Sequence, residues 1–173
     1  MKEVLFLRHA KSSWEYAVAD RDRPLQPKGI HAIKAVAKYW KAKFSSYEAI
    51  FSSPANRALH TATLLAHEIG YPFSQLYLKE GLYSFSARDI MYQVKQLPPQ
   101  YDKVIVVGHN PAFSDAADYF CVKPTPELKT ADWISIIFAG SDWKALTQGA
   151  AEYGSKKEAL RNTWKITVTS IES

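Results

Sequence analysis

The sequence predicts a single α/β domain over residues 1–173, a three-layer sandwich with a mainly parallel central sheet and helices on both faces. Three observations carry this. Val4-Leu5-Phe6-Leu7 and Val104-Ile105-Val106-Val107 are continuous apolar runs of strand formers, the pattern of strands covered on both faces. Stretches with apolar residues at helical spacing alternate with strand candidates from residue 4 to residue 120. No internal repeat, low-complexity tract or linker divides the chain.

The elements follow in order. The first strand stops abruptly at Arg8-His9, so two polar side chains sit at its carboxyl end. Residues 11 to 26 are polar, include Pro24 and precede Pro27, and read as a loop able to carry function. Pro27-Lys28-Gly29 opens a helix with Ile30, Ile33, Val36, Ala37 and Trp40 on one face and lysines on the other. Glu48 to Phe51 is a short strand. Ser53 is the expected N-cap of the next helix and Pro54 its first residue. That helix runs past Arg57, Thr61, Leu64 and Leu65 to Ile69, where Gly70 ends it. A strand over 74–78 and a helix over 86–97, stopped by Pro98-Pro99, come next.

The second buried strand, Lys103 to Val107, ends in the polar turn Gly108-His109-Asn110-Pro111, and a helix over 112–120 follows. Trp133 to Phe138 and Trp164 to Ile171 read as later strands, the second with alternating polarity. Residues 140 to 160 fit no single element. Trp133, Trp143 and Trp164 are expected in the core.

Bulk properties narrow the function classes. The 173 residues are 47% hydrophobic and 23% charged, which excludes global disorder. The net charge of +5 favours anionic partners, but no long basic run selects nucleic acid. Cys121 is the only cysteine, so neither an intrachain disulfide nor a multi-cysteine metal site can form. It reads as a small core residue. The apolar run before Arg8 is too short for a signal peptide, and no stretch is long and apolar enough to span a membrane. A cytoplasmic monomer with no nucleic-acid or membrane partner is the expectation.

Ligands of open α/β sheets gather beyond the carboxyl ends of the strands. Two strands here end in histidine, and a third leads into Arg57 at a helix start. In a parallel sheet these segments converge, and two histidines and two arginines meet. Arginine offers a fixed fork of donors that matches phosphate oxygens. Histidine can attack, transfer a proton or donate a charged hydrogen bond. A helix N-terminus favours an anion. Together they describe a phosphoryl-transfer site. The attacking histidine must be neutral, whereas the second works best protonated. A two-histidine zinc site is the rival reading. Cysteine and carboxylate ligands at useful spacing are missing, and neighbouring arginines oppose a metal ion. No cofactor motif is present.

Leu7-Arg8-His9-Ala10-Lys11-Ser12 resembles the Arg-His-Gly signature of the histidine phosphatase superfamily, the phosphoglycerate mutase-like group. Ser53-Pro54-Ala55-Asn56-Arg57-Ala58 with Thr61-Ala62, and Val107-Gly108-His109-Asn110-Pro111, resemble its two other segments, in the same order. The Arg-His-Ala-Lys-Ser-x-Trp form at Arg8 to Trp14, Asp22-Arg23-Pro24-Leu25 and the short length are similar to the SixA-type phosphohistidine phosphatase branch. The resemblance implies that His9 is the nucleophile and that Arg8, Arg57 and His109 bind the phosphoryl oxygens. Arg23 is implied as a further phosphate contact. Glu80 matches the acid of the mutases; the other reading is an exposed loop carboxylate. Ala10 departs from the signature glycine, and Glu15 replaces the mutases' phosphate-binding asparagine.

The expected function is therefore hydrolysis of phosphohistidine on a protein through a covalent intermediate on His9, without cofactor or metal. A phosphatase for a small phosphorylated metabolite is the alternative. A phosphate-recognising module without turnover is the alternative of a different class.

Overall fold

The computed structural model describes residues 1–162. Its centre is a six-stranded sheet in the order β3-β2-β4-β1-β5-β6, with β1 Lys2–Arg8, β2 Ala49–Ser52, β3 Leu76–Leu78, β4 Lys103–Gly108, β5 Trp133–Phe138 and β6 Ala150–Gly154. The first four strands are mutually parallel. β5 runs antiparallel to β1, and β6 antiparallel to β5. The sheet is thus mainly parallel with an antiparallel flank.

Five helices are named here: α1 Pro27–Tyr39, α2 Lys41–Phe44, α3 Asn56–Ile69, α4 Ala87–Lys95 and α5 Ala112–Phe120. A further helical stretch covers 156–162. Alternation along the strands explains the layering. Leu5, Leu7, Ile50, Ile105 and Val107 pack with Ile33 and Val36 of α1 and Ala62 and Leu65 of α3. Their neighbours Val4, Phe6, Phe51, Val104 and Val106 face the other way, onto Ile90 and Val94 of α4 and Phe113 and Ala117 of α5. Full burial of one such large side chain stabilises the fold by about 1.5–3 kcal/mol. Strands covered on both faces must be apolar throughout, as the two expected core strands are. Trp133, Trp143 and Cys121 are buried as expected.

Three expectations are corrected or displaced. α3 begins at Asn56, with Ala55 at the N-cap position and no side-chain cap, rather than at Ser53-Pro54. The Ser53 hydroxyl is engaged elsewhere, as described below. The stretch 140–160, left unassigned from sequence, contains a 3-10 turn at Trp143–Ala145, strand β6 and the start of the last helical stretch. β6 is an edge strand of sequence Ala-Ala-Glu-Tyr-Gly with four of its five residues exposed, so it needs no apolar pattern. The strand expected at Trp164 to Ile171, with Trp164, lies outside the described residues.

Two glycines meet backbone demands. Gly70 closes α3 in the left-handed conformation, with φ 70°. Gly29, in the first turn of α1, lies so near the loop that a Cβ there would stand 2.3 Å from the Lys11 carbonyl oxygen. Without a side chain at this point, the chain leaving β1 packs directly on α1, and the loop that follows is pinned at its root.

Candidate active site

The register of β1, β2 and β4 aligns Arg8 with Gly108 and Ser52 with Val107, so all three strands end at one edge of the sheet. The ladder continues one step further: His9 N–H donates to the Gly108 carbonyl (3.0 Å) and Ser53 N–H to the Val107 carbonyl (2.9 Å). His9 and His109 thereby leave adjacent strands side by side, with ring centroids 5.3 Å apart. Arg57 enters from the first turn of α3 and is 2% exposed.

His9 is held in one tautomer. Its Nδ1 lies 2.7 Å from the Ala10 carbonyl oxygen, which can only accept, so Nδ1 carries the proton and Nε2 keeps its lone pair. Ala10 is itself fixed by an N–H donation to Thr61 Oγ1 (3.0 Å). Burial pushes the His9 imidazole down to about 4, and Arg57, Arg8 and Arg23 push in the same direction through their charge. These surroundings favour the neutral imidazole. The His9 imidazole should therefore stay largely neutral, with the proton on Nδ1, as pH falls from 7 to about 5; nitrogen-15 NMR of the ring checks this, and an imidazolium at pH 6 would contradict it. The linked stability has a definite sign. The unfolded chain takes up the proton near the ordinary value of 6.5, the folded chain near 4, so this contribution is complete above pH 6.5 and is lost as pH falls between the two.

His109 lies 1% exposed, its Nε2 2.8 Å from Ser53 Oγ. Ser53 Oγ also accepts from the Ala55 N–H (3.2 Å), so the residue expected to cap α3 instead orients the second histidine. Tyr83 and Phe85 pack edge-on or tilted against the His109 ring at 5.3 and 5.5 Å. Burial drives His109 down to about 3, helped by His9, Arg57 and Arg8. Its surroundings favour the neutral ring.

The arginines are braced by the backbone. Arg8 Nη1 donates to the Leu128 carbonyl (2.8 Å), which also accepts from Asn110 Nδ2 (2.8 Å). The Nε atoms of Arg8 and Arg57 are buried without a hydrogen-bond partner among the described residues. Two buried, cationic donors in search of oxygen are what an anion site requires. Arg23, 7% exposed, donates to Ser12 Oγ (2.7 Å) and the Ser13 carbonyl (3.1 Å), under the Trp14 ring. Ala131, in the left-handed region at φ 64°, shares its N–H between the carbonyls of Arg8 and His9. Such a backbone costs about 1 kcal/mol or more in a non-glycine residue.

Glu80 lies apart from this cluster of contacts. Its side chain is 74% exposed and is gripped by both Nη atoms of Arg21, at 2.8 and 3.2 Å. The Arg21 hydrogen bonds hold its carboxyl below the usual carboxylate range. One residue that the sequence did not single out, Asp20, joins the cluster. Asp20, in the 3-10 turn Asp20–Asp22, accepts from Arg57, Arg23 and Tyr83. Its position three residues before Arg23 was the available signal. Among the described residues no group of three His, Cys, Asp or Glu could hold a metal ion, and no helix is long and apolar enough to cross a membrane.

Comparison with known proteins decides the family. The sequence model of the histidine phosphatase superfamily (branch 1) matches residues 4–90. The chain belongs to the histidine phosphatase superfamily. This membership supports phosphatase activity and leaves the substrate to be argued. An uncharacterized protein of Mycobacterium tuberculosis is 32% identical over 111 residues, 64% of this chain and 67% of that protein. The structure of the protein histidine phosphatase SixA complexed with tungstate superposes with a TM-score of 0.77 at 20% identity, covering 90% of this chain and 98% of that one. Phosphoserine phosphatase of Entamoeba histolytica, bound to 3-phosphoglyceric acid, superposes with a TM-score of 0.63 at 17% identity, covering 90% and 98%. The fold is that of these histidine phosphatases.

Proposed function

We propose that this histidine phosphatase hydrolyses phosphohistidine on a protein. His9 Nε2 attacks phosphorus, forming a P–N bond as the P–N bond of the substrate breaks, and the departing imidazole takes the electron pair. Water then attacks phosphorus, the bond to Nε2 breaks, and inorganic phosphate leaves with His9 again neutral. Arg8, Arg57 and His109, with Arg23 behind them, neutralise the charge that gathers on the phosphoryl oxygens.

The observation that carries this reading is the state of Glu80. Hydrolysis of an alkyl phosphate needs a proton for the alkoxide that leaves. Glu80, the residue implied as donor, is exposed, ionised and tied to Arg21. An imidazole already protonated on its other nitrogen leaves neutral and needs no such donor. The test compares catalytic efficiency on a phosphohistidine protein with that on a panel of sugar phosphates and nucleotides. Higher efficiency on the panel overturns the reading in favour of a metabolite phosphatase. Glu80→Gln is expected to leave both P–N hydrolysis and any ester hydrolysis within about threefold, because an ionised Glu80 held by Arg21 gives up no proton to either leaving group. A loss of tenfold or more confined to esters would make Glu80 the acid and remove the leaving-group argument. The lone, buried Cys121 fits work in a reducing compartment such as the cytoplasm.

A further inference from the structure

We infer that Asp20 is a resident competitor for the phosphate pocket, a specificity-determining carboxylate that the phosphoryl group must displace from Arg57. The inference rests on the phosphate-pocket reading above and adds a residue to it. Arg57 presents its whole outer fork to Asp20: Nη1 to the Asp20 carbonyl oxygen (2.6 Å) and Nη2 to Oδ2 (3.0 Å). Oδ2 also accepts from the Tyr83 hydroxyl (2.5 Å), and Oδ1 from Arg23 Nη1 (3.2 Å). One carboxylate oxygen and one backbone carbonyl of Asp20 thus occupy the two donor positions that would otherwise take two phosphoryl oxygens. Asp20 therefore satisfies two of the arginines through which the pocket would hold a phosphoryl group.

The two sides of this ion pair differ in freedom. Arg57 is 2% exposed and fixed in the first turn of α3. Asp20 is 41% exposed and sits in a loop, so it is the partner that can yield to an incoming anion and be solvated by water. Burial would raise its carboxyl, but hydrogen bonds from Tyr83, Arg57 and Arg23 outweigh this and hold it at about 2, so the competitor is charged throughout the working range. A doubly charged phosphoryl group gains more from three arginines than a single carboxylate does, and displaces it. A singly charged oxyanion has no such advantage, so Asp20 biases the pocket toward dianions and eases release of the product.

The experiment is a calorimetric titration of the purified full chain with inorganic phosphate at pH 8, for the native protein, Asp20→Asn and Asp20→Ser. The titration needs no turnover. Removing the competing charge should tighten phosphate binding at least about tenfold in both variants. Unchanged or weaker binding would overturn the inference and make Asp20 a positioning residue for Arg57. Failure of the native protein and both variants to bind phosphate would overturn the phosphate pocket itself, and the inference with it. A titration with formate adds a second check: the variants should gain formate binding that the native protein lacks, and an absence of that gain would reject the bias toward dianions.

Discussion

His9→Ala should lower hydrolysis of an aryl phosphate and of a phosphohistidine protein by about 10⁴-fold or more, because no group is left to accept phosphorus. The effect should fall on kcat, since the arginines proposed to hold the phosphoryl group remain. The matching positive result is a phosphoenzyme: brief incubation of the native chain with substrate should place phosphate on His9, in a bond labile to acid and absent from the variant. A purified His9→Ala protein that retains turnover would exclude covalent catalysis by this residue. A native protein that binds phosphate tightly but never becomes phosphorylated would instead describe a recognition module.

The second large effect belongs to Arg57. Arg57→Ala should cost about 10²–10³ in kcat/KM, the scale seen when one preorganised charge is removed from an oxyanion site. Arg57→Lys should restore little. A lysine ammonium cannot present the paired donors that span Asp20 in the free pocket, and it leaves one oxygen of a bound phosphoryl group unmet. Steady-state kinetics of both variants, with folding checked by circular dichroism, decide the matter. Lysine matching arginine would mean that charge alone suffices at this position. Asp20 should behave in the opposite sense: loss of the arginine is expected to weaken phosphate binding, and loss of its carboxylate partner to strengthen it.

What could be read from the sequence follows from where the information resides. Arg8, His9 and His109 were legible because each ends an apolar run, and a buried strand has one place to put a polar side chain, its end. Arg57 was legible because a helix opens just before it. Asp20 was not, because it lies in a polar loop where acidic residues carry no periodicity and where Asp22 stands two positions away. The pairing of Glu80 with Arg21 spans 59 residues and depends on how two loops meet, which local spacing does not encode. β6 escaped because an edge strand can be built from residues with no apolar pattern, its pairing with β5 supplying the order. Ser53 was read as a local cap, a sound local inference overridden by the tertiary demand of His109.

The place of β1 in the sheet carries a last consequence. It is hydrogen-bonded on both sides, to β4 and β5, with β2 and β3 beyond one neighbour and β6 beyond the other. His9, the proposed nucleophile, therefore hangs from a strand that cannot open without breaking pairing on both sides, while Asp20, Glu80 and Phe85 lie outside the sheet. On the proposed reading, the attacking group is anchored in the interior, where substitution is costly, and the residues argued to set substrate preference sit at the periphery, where substitution disturbs the fold least.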